Sequence, residues 1–375
     1  MFSLVVLAGC GTPDTTSLPV PDDWVGHSLG LSPPRLEPVD RVTRWGTPAP
    51  GEVPVLRRTD ASIDAARPGG QLRAMGPDGT IYDVRASADD VARLGAEMVR
   101  LGRDGSHVFG DDAVIDKGWS NGVDNRSRWY YSGPSYRNAM GVVSPFGSAW
   151  CSGTLIEDRL VLTAGHCLFD GYGNFVSLNF RAGQDGSTQP YDQMGVVYEY
   201  WDQGFVNNNC DKYLSMGYST TCEQYDWAVL VLSDAPHNSG GSTPGYMGFA
   251  QSASDSTIAG WAKYHAGYPG CGAAGAPAGC VDGSLWTQSG TCATGSFFNP
   301  VNGWNRNFFH GCDMSGGHSG GPLYSWSPGS GGPYVVASNI AEICQGSACS
   351  GSTPNVAFRI DSWLYNWLLY WRSIY

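Results

Sequence analysis

Two segments of this chain carry residue types whose spacing suits nucleophilic chemistry. Ser319 lies in Gly316-Gly317-His318-Ser319-Gly320-Gly321-Pro322, and His166 lies upstream in Leu162-Thr163-Ala164-Gly165-His166-Cys167. A serine hydroxyl is a poor nucleophile at neutral pH until an imidazole takes its proton. Glycines around Ser319 permit a tight turn in which two amide N–H groups face one developing oxyanion. The chemistry such a pair serves is attack on an acyl carbon. A carboxylate must hold the imidazole, and Asp226 opens the apolar run Trp227-Ala228-Val229-Leu230-Val231-Leu232, at the edge of a dry core. Asp202 and Asp211 fall in the same interval and are its rivals.

The elements that position these groups read as β-structure. With 52 glycines, 23 prolines, 42% hydrophobic and only 15% charged residues, the 375-residue chain suits a loop-rich β protein of two or three domains. Short apolar runs at 154–156, 159–163, 196–200, 227–232 and 334–338 alternate with Gly/Ser/Asn/Asp turns and predict strands of a sandwich or barrel. Residues 11 to about 60, rich in Pro, Thr and Asp, predict a flexible tether. Residues 86–103 place Val91, Leu94, Met98 and Leu101 at helical spacing behind a capping Ser87. Near the C-terminus, Asp361-Ser362 caps a predicted helix whose Trp363, Trp367 and Trp371 form a stripe that packs on the body.

A net charge of −12 argues against nucleic-acid binding, which needs a basic surface. Eleven cysteines without paired C-x-x-C motifs point to an oxidising compartment rather than a zinc site. His237, His265 and His310 are scattered, so neither a metal nor a cofactor is expected. Leu7-Ala8-Gly9-Cys10, after Leu4-Val5-Val6-Leu7, resembles the lipobox of bacterial lipoproteins, in which the cysteine is acylated. Setting Cys10 aside leaves an even number for disulfides. The leader is short and lacks Lys or Arg, so a chance tetrapeptide is the alternative. No run of 18 apolar residues is present.

Cys151-Ser152-Gly153-Thr154-Leu155-Ile156, Val161-Leu162-Thr163-Ala164-Gly165-His166-Cys167, Tyr225-Asp226-Trp227-Ala228-Val229-Leu230 and Gly317-His318-Ser319-Gly320-Gly321-Pro322 resemble the chymotrypsin-like serine endopeptidases over residues 108–375. Asp313 before Gly316-Gly317, with Val123-Asp124-Asn125-Arg126, looks similar to the bacterial secreted, glutamyl endopeptidase-like branch. The resemblance implies an all-β fold of two antiparallel six-stranded barrels with a C-terminal helix, preceded by a poorly structured N-terminal region. It implies His166, Asp226 and Ser319 as the triad, the N–H groups of Gly317 and Ser319 as the oxyanion hole, and Asp313 and Ser338 as pocket residues. A Cys151–Cys167 disulfide would pin the loop carrying His166. The other cysteines suggest local pairs: 210 with 222, 271 with 280, 292 with 312, and 344 with 349.

Several positions depart from the trypsin pattern. His318 stands where an aspartate receives a new N-terminal ammonium, so activation is expected not to use an inserted N-terminus. Ser315 replaces a pocket cysteine, and Ser338-Asn339-Ile340-Ala341 replaces Ser-Trp-Gly. The expectation is a monomeric, exported endopeptidase acting on proteins or peptides. Residues 1–10 are then a lipoprotein signal with a membrane tether at Cys10, 11–107 a linker and propeptide, and 108–375 the catalytic domain. Cleavage at Arg100 or Arg103 would free that domain from its anchor. An esterase or amidase on the same triad, or a binding protein on this frame, are the other readings.

Overall fold

The computed structural model describes residues 16–41 (except 19, 21 and 23), 71–101, 124–145, 150–341 apart from 217, 252–253, 274, 302–303 and 327–332, and 355–375. Six strands form the first barrel: β1 Met140–Ser144, β2 Cys151–Glu157, β3 Leu160–Thr163, β4 Asn179–Ala182, β5 Met194–Asp202 and β6 Ala228–Leu232. Their hydrogen-bonded order, β5-β6-β3-β2-β1-β4, closes because β4 also pairs with β5. All five residues of β6 are buried, as a strand between two others in a filled barrel requires.

Six further strands make the second sheet: β7 Tyr264–Gly267, β8 Thr294–Val301, β9 Trp304–His310, β10 Pro322–Trp326, β11 Pro333–Ala341 and β12 Asn355–Arg359. They run in the order β8-β9-β12-β11-β10-β7, and a single Lys263–Cys292 bridge brings the two ends together. This differs from a plain six-stranded barrel. Trp286–Gln288 and Arg126–Arg128 extend the sheet beyond β7, and Gly248–Phe249 pairs in parallel with β11.

Asp361 caps the helix Ser362–Arg372 by accepting from the Leu364 N–H at 2.8 Å. Trp367 and Trp371 are buried, as the stripe predicts, and Trp371 packs against Tyr200 and Trp227 at 4.9 and 6.2 Å between ring centroids. The helix therefore backs the chain immediately after Asp226.

The expected poorly structured region before 108 is overturned over 24–41 and 71–101. Strands Arg35–Arg41, Leu72–Met75 and Thr80–Arg85 form a ribbon, and Leu72–Met75 pairs with β5 in the first sheet. Sheet hydrogen bonds thus cross the expected boundary at 108. These runs lack a sustained alternation, and Leu72–Met75, besides its hairpin with Thr80–Arg85, takes its other partner β5 from far along the chain. The predicted helix spans Ala88–Arg100, with Ser87 Oγ accepting from the Asp90 N–H. Val91, Leu94 and Met98 are buried, but Leu101 lies past the last turn and is exposed.

Candidate active site

Strand register explains why His166 meets Asp226. β3 and β6 are antiparallel with Thr163 opposite Ala228 and Leu162 opposite Val229. Residues just after β3 therefore face residues just before β6. His166 sits on the single turn Gly165–Leu168 that follows β3, and the Cys151–Cys167 disulfide ties that turn to β2. Such a bridge contributes about 2–4 kcal/mol.

The fully buried Asp226 carboxylate grips His166 with both oxygens. Oδ1 accepts the His166 backbone N–H at 2.8 Å, and Oδ2 lies 2.8 Å from Nδ1. Tyr218, which sequence reasoning missed, donates its hydroxyl to the same Oδ2 at 2.5 Å. Burial, then the Asp226 charge, pushes that phenol well above its usual range, so it stays a donor. The rivals are employed elsewhere. Asp202 caps Gln203–Asn207 and faces Arg306 at 3.6 Å, while Asp211 is buried at the start of another turn.

The Ser319 backbone is held against the same disulfide. Its carbonyl accepts from the Ser152 N–H at 2.7 Å and lies 3.9 Å from Cys167 Sγ. A Cβ at Gly320 would come within 2.2 Å of Ser152 O and Thr163 Oγ1, so only glycine permits this approach. Gly317 has φ +95°, and a Cβ there would meet Tyr268 O and Gly270 N at 2.5 Å. Gly316 O accepts from Gly270 N–H at 2.8 Å, and in a trans peptide this turns the Gly317 N–H the other way. His318 O likewise accepts from Gly321 N–H at 2.8 Å. Among the described residues the N–H groups of Gly317 and Ser319 have no acceptor. Ser152 Oγ, unforeseen in the sequence, donates to Gly317 O and accepts from Tyr268 N–H, both at 2.8 Å.

Asp313 and Ser338 take different places. Asp313 Oδ2 accepts the Asn125 N–H at 2.7 Å, and Arg126 beside it donates to Ser315 Oγ at 3.0 Å. Ser338 is buried within β11, opposite Pro322 and Phe358. Four of the expected disulfides are present: 151–167, 210–222, 271–280 and 292–312. Cys10, Cys344 and Cys349 lie outside the described residues. One grouping of metal-ligand types among the described residues, Cys151, His166 and Cys167, spends both sulfurs in a disulfide.

Three histidines are buried in and behind the nucleophile loop. His310 Nε2 donates to Asn339 Oδ1 at 2.9 Å, His265 Nδ1 donates to Pro322 O at 3.1 Å, and His318 Nδ1 lies 3.0 Å from Ser315 O. Burial pulls His265 down to about 3, His310 to about 4 and His318 well below the usual 6.5. All three are neutral when folded and recover 6.5 on unfolding, so stability is lost as the pH falls below that value. Buried Glu223 and Asp202 oppose this. Their carboxyls are raised to about 7 and about 6, and they take up protons in the folded chain first. Glu157, also raised by burial, adds to this opposition, and between about pH 6 and 4.5 the three imidazoles outweigh the carboxyls, so stability falls with the pH. Thermal unfolding of a Ser319→Ala variant is expected to show Tm falling across that window; a flat or rising Tm would contradict the assignment.

No family model matches the chain. It is 26% identical over 243 residues to the glutamyl endopeptidase of Bacillus licheniformis, covering 64% of each chain. It is 21% identical over 225 residues to an extracellular metalloprotease of Bacillus subtilis, covering 60% of this chain and 58% of that one. The chain thus spans less than two thirds of the length of these curated relatives. Among solved structures, a Glu endopeptidase in complex with MPD aligns with TM-score 0.48 and 21% identity, over 67% of this chain and 98% of that one. The protease Anisep from Arthrobacter nicotinovorans aligns with TM-score 0.41 and 22% identity, over 60% of this chain and 91% of that one. In its sequence the chain is similar to the glutamyl endopeptidase, and its motifs around His166, Asp226 and Ser319 resemble those of the chymotrypsin-like serine endopeptidases.

Proposed function

We propose that the protein is a serine endopeptidase that hydrolyses peptide bonds through an acyl-enzyme. The observation that carries this reading is the two-oxygen grip of buried Asp226 on His166, with the imidazole turned so that Nδ1 faces the carboxylate. In that orientation Nε2 is left as the base. Ser319 Oγ attacks the carbonyl carbon while its proton passes to His166 Nε2. The oxyanion is met by the N–H groups of Gly317 and Ser319. Collapse breaks the C–N bond, and the imidazolium gives its proton to the leaving amine. Water then attacks the ester, His166 takes its proton, and the carboxylate product leaves as Ser319 is reprotonated. Removing one oxyanion donor costs about 2.7–4 kcal/mol in such sites. Turnover of casein by the purified protein, abolished in Ser319→Ala, tests the reading; turnover of esters alone would reject it in favour of an esterase.

Asp313 and Ser338 are the proposed pocket residues. A panel of Arg, Lys, Glu and Phe substrates decides their role. Turnover of the basic substrates assigns the Asp313 carboxylate to recognition, whereas turnover of Glu substrates assigns it to holding the Asn125 N–H.

The proposed protein is exported, monomeric and lipid-tethered at Cys10, with 1–10 as signal, 11–107 as linker and propeptide and 108–375 as catalytic domain. Arg100 is hydrogen-bonded to Glu97 in the last turn of its helix, which leaves Arg103 as the favoured cleavage site. His318 is buried and uncharged, and Arg126, already within the chain, holds Ser315 beside it. Activation therefore needs no inserted ammonium. Sequencing of the mature N-terminus is expected to begin at Asp104, and extra residues added there are expected to leave activity unchanged. Complete loss of activity in the extended forms would refute this account of activation.

A further inference from the structure

Residues 24–41 and 71–101, which the proposed processing would cut from the catalytic chain, are built into the body. Leu72–Met75 pairs residue by residue with β5, placing Leu72 opposite Asp202, Arg73 opposite Trp201, Ala74 opposite Tyr200 and Met75 opposite Glu199. Gln203 N–H donates to Gln71 O at 2.8 Å and continues the ladder. Without this ribbon, that half of β5 would present unpaired backbone groups at an open edge. The helix Ala88–Arg100 lies against the C-terminal helix, burying Val91, Leu94 and Met98, each at most 4% exposed. Gly95 allows the approach, since a Cβ there would meet Asn366 Oδ1 at 2.8 Å. Trp24, 2% exposed, donates its indole N–H to Ser373 Oγ at 3.0 Å and packs edge-on to Tyr370. These contacts combine buried apolar packing with backbone and side-chain hydrogen bonds, as in interfaces that do not come apart.

Among the described residues no hydrogen bond or ion pair joins this layer to His166, Tyr218, Asp226, Gly317 or Ser319. Holding the layer in place therefore leaves the polar contacts of these residues as they are.

We propose that the N-terminal fragment remains bound, held as a non-covalent layer through residues 24–41 and 71–101, after the chain is cut between 101 and 124. This rests on the processing reading only for its occasion. Cleavage there divides the chain without dividing the particle, which revises the expectation that it frees the catalytic domain. An acylated Cys10 would go on holding the catalytic body at a membrane.

The test uses the full chain carrying Ser319→Ala, so that the result is independent of whether the protein is a protease. A recognition sequence for a site-specific protease is inserted between Arg103 and Asp104, the chain is cut, and the products are run on native gel filtration. Both fragments are expected to elute together at the volume of the uncut protein and to separate only in denaturant. Elution of the N-terminal fragment alone in native buffer would overturn the proposal, whatever becomes of the remainder. In Gly95→Val the fragments are expected to part at a lower urea concentration. Trp24→Ala, which removes a contact without adding bulk, is expected to do the same if Gly95→Val does not fold. A urea midpoint for dissociation in Trp24→Ala equal to that of the parent would count against the interface.

Discussion

Replacing Ser319 with alanine is expected to lower kcat by about 10⁶-fold while leaving the fold intact. The substitution removes only the Oγ. The Ser319 carbonyl still accepts from Ser152, and the neighbouring Gly320 and Gly321 N–H bonds to Asn339 O and His318 O are untouched. Substrate binding should survive, so the loss falls on kcat rather than on KM. Steady-state kinetics on a peptide substrate, with Tm measured alongside, separates this from unfolding. A variant retaining more than a small fraction of the activity would mean that another group is the nucleophile.

Asp226→Asn is expected to cost about 10⁴-fold in kcat. An asparagine has one acceptor oxygen where the aspartate has two, and three donors converge here: the His166 N–H, its Nδ1–H and the Tyr218 hydroxyl. If the amide oxygen keeps the backbone N–H, the NH₂ group faces Nδ1 and selects the tautomer with its proton on Nε2. That tautomer cannot take a proton from Ser319. If the amide is reversed, the NH₂ group faces the His166 backbone donor and the turn is pushed away. Either outcome disables the base. The pH–rate profile separates them: a base recovered at high pH indicates the tautomer effect, while a uniformly low rate indicates displacement. Near-normal activity throughout would remove Asp226 from the mechanism.

The site was legible in the sequence where local residue type and strand register decide the outcome. His166 follows a strand and Asp226 precedes one, and an antiparallel pairing of those strands is enough to bring the two side chains together. Gly317 and Gly320 were readable because their backbone and clearance exclude a side chain. The helix Ala88–Arg100 and the C-terminal aromatic helix announced themselves by spacing and by capping serine and aspartate. Tyr218 was not legible, because it stands eight residues before Asp226 without any periodic context and acts only once the chain has folded. Ser152 was equally hidden, since its hydroxyl gains a role from Tyr268 and Gly317, both more than a hundred residues away. The N-terminal ribbon failed for the same reason. Leu72–Met75 is four residues long, and besides its hairpin with Thr80–Arg85 it is held by β5, over a hundred positions later. Between 11 and about 60 composition signalled a tether, and pairing with Thr80–Arg85 overrode it at Arg35–Arg41.

The central claim is that His166 makes Ser319 nucleophilic, and a serine-directed fluorophosphonate tests it most directly. Peptide mapping after brief exposure of the native protein is expected to find the adduct on Ser319, and to find none in His166→Ala. An unlabelled Ser319 in the folded protein, or equal labelling with and without the imidazole, would contradict the account.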